Sequence, residues 1–106
     1  MSDQELMICR RDLEEWAGAF ASFADYVVSH RRFTVCLDDP EKKRSTLVAF
    51  FMCERIEGRT WWRDCSFSVC IKGDCVEVTD RASGFLVVCV GVIVGFDPAP
   101  PKVVED

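Results

Sequence analysis

Seven cysteines, at positions 9, 36, 53, 65, 70, 75 and 89, and a lone histidine, His30, are the side chains of this 106-residue sequence best suited to covalent or metal chemistry. A hydroxyl or thiol nucleophile needs a base to take its proton, so any such mechanism here must use His30. Cys36, the next thiol along the chain, lies across a change of secondary structure, and no spacing brings the two together. There is no C-x-x-C, which removes the usual zinc and thioredoxin spacings. Cys70 and Cys75 form the one candidate redox pair, or half a metal site. The strand register derived below sets them face to face, roughly 4.5–5.5 Å apart by Cα. The odd count leaves one thiol over in any closed disulfide set. Met1 to Leu6 carries no basic start and apolar run of a signal peptide, so the thiols are expected reduced and the protein intracellular, cytoplasmic or nuclear.

The carboxylate pairs offer no acid–base dyad. Glu14-Glu15 falls on the solvent face of an expected helix and Asp38-Asp39 in a turn, so neither pair has the setting of a general acid beside its base. No catalytic residue, metal ion or cofactor is therefore expected. Basic residues with an aromatic among them, Lys42, Lys43, Arg44, Arg55, Arg59 and Trp62, suit single-stranded nucleic acid, whose bases stack on such rings. Against this, Lys plus Arg is 13, Asp plus Glu is 18 and the net charge is −5. That balance gives no electrostatic footprint for nucleic acid or an anionic membrane.

The elements that must position these residues follow from periodicity. Ser2 and Glu5 make the S-x-x-E capping pattern. Leu6, Cys9, Leu13, Trp16, Phe20, Phe23 and Val27 then recur at alternating three- and four-residue spacing. One long helix from Asp3 to His30 is predicted. The period changes to two at Phe33, Val35 and Leu37. Further strands are predicted over Thr46–Ile56, Trp61–Ile71, Asp74–Thr79 and Phe85–Phe96. Gly58-Arg59 and Lys72-Gly73 serve as two-residue hairpin loops. In that register Ile56 faces Trp61, Val69 faces Val76 and Cys70 faces Cys75. Residues 1–97 are expected to be one domain. Residues 98–106, with Pro98, Pro100 and Pro101, read as an extended tail.

The result is an α+β fold, a long N-terminal helix on a twisted, mainly antiparallel five-stranded sheet. A helix followed by an antiparallel meander that wraps it resembles the cystatin-like layout. The Gln-x-Val-x-Gly loop of cystatins is absent, so the resemblance implies no protease inhibition. One sheet face takes the helix; the other carries Leu47, Phe51 and Trp62, and the last strand is apolar on both sides. A strand apolar on both sides is normally covered on both. The expected function is a non-enzymatic interaction module, a small adaptor or inhibitor acting by homodimerisation or partner binding on that face or on an open sheet edge. Leu47, Phe51, Trp62, Val88, Val90 and Val92 are the expected interface. Nucleic-acid binding is the alternative, ahead of a thiol enzyme or an apolar-ligand binder. The absence of Asn and the excess of Arg over Lys point to a GC-rich coding sequence and fit a viral, host-modulating protein.

Overall fold

The structure, a computed structural model, describes residues 2–97; the tail expected over 98–106 lies outside the described residues. A helix α1 (Asp3–Glu14) is followed by β1 (Phe20–Val27), β2 (Arg32–Asp39), β3 (Arg44–Phe51), β4 (Arg55–Glu57), β5 (Trp61–Trp62), β6 (Ser68–Lys72), β7 (Cys75–Asp80), β8 (Phe85–Cys89) and β9 (Gly91–Val94). The strands form two antiparallel sheets, ordered β5-β1-β2-β3-β9 and β4-β8-β7-β6. The fold is therefore mostly β, and the expected long helix on a single five-stranded sheet is corrected.

The helix starts as its capping box requires. Ser2 Oγ accepts the Glu5 N–H at 3.2 Å, and the Glu5 carboxylate accepts the Ser2 N–H at 3.3 Å. It stops because Gly18 takes a left-handed φ of 89° and donates its N–H to the Cys65 carbonyl at 2.8 Å, as glycine commonly does beyond a helix end. Arg44 reinforces the stop: it stacks on Trp16 at 4.2 Å and donates to the Glu15 carbonyl at 2.7 Å. Phe20 to Val27, assigned by spacing to the helix, instead pairs with β2. The stripe residues do not share a face of this strand: Phe23 lies opposite inward Val35, while Phe20 and Val27 lie opposite Asp38 and Arg32 on the other face. A strand with apolar residues on both faces can thus carry helix-like spacing, and a β-bulge between Phe23 and Asp25 interrupts its alternation further.

The second correction concerns the long strands. The expected Thr46–Ile56 breaks at Met52, which has φ 54°, and Trp61–Ile71 breaks at Asp64, with φ 53°. Phe85–Phe96 breaks at Val90. On each side of its break the chain belongs to a different sheet. Gly58 is no hairpin turn: Ile56 faces Val87 and Trp62 faces Ala21, so the segment 58–60 crosses between layers. A Cβ at Gly58 would lie 3.0 Å from Phe85 Cα, which explains the glycine. The turn after β6 is Gly73-Asp74, with Lys72 facing Cys75. Gly73, at φ 63°, supplies the positive dihedral that a type II′ turn takes at its first central position. The register consequently moves two residues from the predicted one: side chains keep their faces, but Val69 meets Val78 and Cys70 meets Glu77.

The two sheets bury their apolar faces against each other. Val35, Leu37, Val48 and Phe50 meet Val69, Val76, Val78 and Val87, in the alternating inward pattern of a sandwich. The surplus apolar sheet seen in the sequence is thus largely covered by the chain itself. α1 closes one open side, packing on both β6 and β9 through Cys9 and Leu13. Leu13 contributes roughly 1.5–3 kcal/mol by full burial. Trp62 and Asp80 tie the layers together. The indole Nε1–H donates to Asp80 Oδ2 at 2.8 Å, and the Ser66 N–H donates to the same oxygen at 3.1 Å.

Candidate functional site: the sheet edges and their grooves

Four of the seven thiols are buried. All seven cysteines are free. Burial pushes the Cys9 and Cys65 thiols up to about 11 and Cys89 up to about 12. Burial also raises Cys36, Cys53 and Cys75. A thiol so raised holds its proton at neutral pH and is a poor nucleophile or metal ligand. Cys70 and Cys75 do not face one another, which corrects the predicted pairing; their partners are Glu77 and Lys72. His30 is exposed in the short turn after β1. Among the described residues no three Cys, His, Asp or Glu side chains are placed to hold a metal ion.

The basic residues singled out above are distributed over the β2–β3 turn, the starts of β3 and β4 and the crossover between sheets. Lys42 and Lys43 are exposed in the β2–β3 turn, and Arg44 is held over Trp16. Arg55 pairs with Glu57, and Arg59 sits in the crossover between sheets. Trp62 is only 4% exposed, with its indole N–H taken by Asp80. Trp61 is the exposed ring, at 54%, and it stacks on Phe20 at 5.5 Å.

Of the six expected interface residues, Leu47 and Phe51 lie half-buried on the outer face of the five-stranded sheet. Phe96 folds over them: the Gly95 and Phe96 N–H groups both donate to the Leu47 carbonyl at 2.9 Å. The Phe96 ring meets Phe51 edge-on at 5.6 Å, with the Arg32 guanidinium over it at 4.8 Å. Val88 is half-buried between Arg55 and Glu77, and Val90 is exposed at the link from β8 to β9. Val92 lines a groove described below. Trp62 faces the core and cannot serve as an exposed anchor.

Four strands end the two sheets, and their edges differ. An edge strand presents unpaired N–H and C=O groups and is normally blunted by charge, brevity, a bulge or a cover. β5 is two residues long, between Arg59 and Arg63. β4 carries the Arg55–Glu57 pair. β6 ends in Lys72 and is held by α1: Arg10 Nε and Nη2 donate to the Val69 carbonyl at 3.0 and 2.8 Å. β9 has neither charge nor a bulge, and α1 covers it only in part, across a groove. It reads Gly-Val-Ile-Val, pairs with β3 alone among the described strands, and leaves Ile93 48% exposed.

Each end of the sandwich has a groove of about 240 Å³. One runs between α1 and β9, lined by Glu5, Ile8, Cys9, Asp12, Val92, Ile93 and Val94. The other, at the β1–β4 side, is lined by Phe23, Tyr26, Phe33, Ile56 and Phe85 and closed by residues 57–60. The strands beside this aromatic groove are guarded by the β1 bulge, by the Asp25–Arg32 pair at 3.4 Å and by the charges of β4.

Sequence reasoning missed Ile8, Ile93, Glu5 and Asp12 as neighbours. Simple alternation assigns Ile93 to the side of Phe85, Val87 and Cys89, but the crossing at Val90 reverses it. Ile93 opposes Ala49 on the outer face, while Val92 opposes inward Phe50. The legible signal was a glycine on each side of three uncharged aliphatic residues. No known family, curated protein or solved structure matches the chain.

Proposed function

We propose that this chain is a non-enzymatic protein-interaction module that accepts an extended polypeptide segment along the edge of β9. One observation carries the reading: three of the four sheet-ending strands are blunted, and β9 is an uncharged edge that α1 covers only in part, across a groove. An extended segment added there gains main-chain hydrogen bonds from the unpaired edge and pockets for alternate side chains. The six thiols whose pKa values burial raises hold their protons at neutral pH, which favours binding over thiol chemistry. Ile93, Ile8 and Val92 supply the apolar contact.

A lysine at position 93 imitates the charge that natural edges use for protection. The Ile93→Lys variant is expected to keep its unfolding free energy within about 0.5 kcal/mol, as exposed substitutions do. It is expected to lose about tenfold or more in affinity for a fluorescein-labelled extended peptide of alternating polar and valine residues, as for removal of an interface anchor. Equal binding by both proteins, read by fluorescence polarisation, contradicts the proposal.

A further inference from the structure

We infer that the segment seated on β9 is a foreign strand carrying two cations four residues apart with an aliphatic residue between them, and not a second copy of this chain. The inference rests on the strand-accepting role proposed for β9 and adds the chemistry of the occupant. The groove beside β9 has an apolar floor, Ile8, Cys9 and Val92, and two carboxylates, Glu5 and Asp12. No cation lines it, and neither carboxylate is in an ion pair among the described residues. Glu5 accepts from the Ser2 N–H as part of the capping box and keeps its charge there. Along the helix, Glu5 and Asp12 are separated by about 10 Å, with Ile8 between them. On an added strand, alternate residues point the same way, and positions i and i+4 lie about 13 Å apart. Lysine side chains are long enough to absorb the difference. Inward-facing lysine, valine and lysine at i, i+2 and i+4 therefore match Glu5, Ile8 and Asp12.

A second copy fits badly. Pairing β9 with its own copy uses a twofold axis, and continuing the sheet across that axis puts both α1 helices in one layer beside the seam. Glu5 and Asp12 of each copy then face those of the other, and β9, being Gly-Val-Ile-Val, contributes no cation to offset four carboxylates. Like charges so placed oppose association.

The test uses three seven-residue peptides: Thr-Lys-Thr-Val-Thr-Lys-Thr, the same peptide with glutamate for lysine, and the chain's own Val90–Phe96. The basic peptide is expected to bind the intact chain at least about fivefold tighter than either of the others at low salt, with the gap closing at about 0.5 M salt as charges are screened. The double variant Glu5→Gln, Asp12→Asn, in which glutamine preserves the capping box, is expected to bring basic and acidic peptides to equal affinity. If basic and acidic peptides bind wild type equally and Ile93→Lys abolishes both, the charge inference is overturned while strand addition stands. Tighter binding of the Val90–Phe96 peptide overturns it in favour of a second copy. No binding by any peptide overturns the strand-accepting role itself.

Discussion

β6 and β9 end different sheets on either side of the same helix, and they are treated oppositely. At β6, α1 sends Arg10 to take the Val69 carbonyl with two hydrogen bonds. At β9 the helix offers Ile8, Cys9 and two carboxylates across a groove. The same helix bonds directly to one edge and stands off the other across a groove. Uncharged, unbulged edges invite pairing, which is the ground for the strand-accepting role proposed for β9.

Breaking the shared helix should have the largest effect. Leu13 is 1% exposed, and Leu13→Ala is expected to cost about 2–5 kcal/mol as a buried leucine truncation, measured by urea denaturation, with peptide affinity falling as α1 loosens. Next is a control at the far end of the sandwich. Asp80→Ala strands the Trp62 and Ser66 N–H groups and should cost about 1–3 kcal/mol, leaving peptide affinity at β9 unchanged in the folded protein.

Arg10→Ala frees the Val69 carbonyl at a cost of about 1 kcal/mol. It should turn β6 into a second open edge, seen in sedimentation velocity as concentration-dependent self-association stronger than that of wild type. If the variant associates no more than wild type, Arg10 is not what guards β6. The smallest effect belongs to the helix start. Ser2→Ala should cost about 0.5–1 kcal/mol. Hydrogen bonds from the Ser2 backbone and side chain hold the Glu5 carboxyl below its ordinary 4.5. A depressed carboxyl adds stability that is full above its unfolded pKa and is lost as pH falls through the lower folded value. Wild type should therefore lose stability relative to Glu5→Gln as pH drops below about 4.5, in parallel chemical denaturation series.

The start of α1, the apolar alternation of β2 and β3 and the faces of β6 and β7 were legible in the sequence. Ser2 and Glu5 cap the helix as their spacing requires, and Phe33, Val35 and Leu37 point inward together. What failed has one physical origin. Met52, Asp64 and Val90 let a continuous apolar run leave one sheet and enter the other, and periodicity records alternation without recording a bend between layers. β1 was hidden because its apolar residues sit on both faces: Phe23 opposes Val35, while Phe20 and Val27 oppose Asp38 and Arg32. The β9 groove was invisible because Glu5 and Asp12 meet Val92 to Val94 only after the chain has crossed the sandwich.

Residue-resolved amide exchange of the intact chain, alone and saturated with Thr-Lys-Thr-Val-Thr-Lys-Thr, tests the strand-accepting edge most directly. The account predicts new protection confined to the amides of residues 91–94, with β4, β5 and β6 exchanging as before. Protection at one of those three strands instead, or at none, contradicts it.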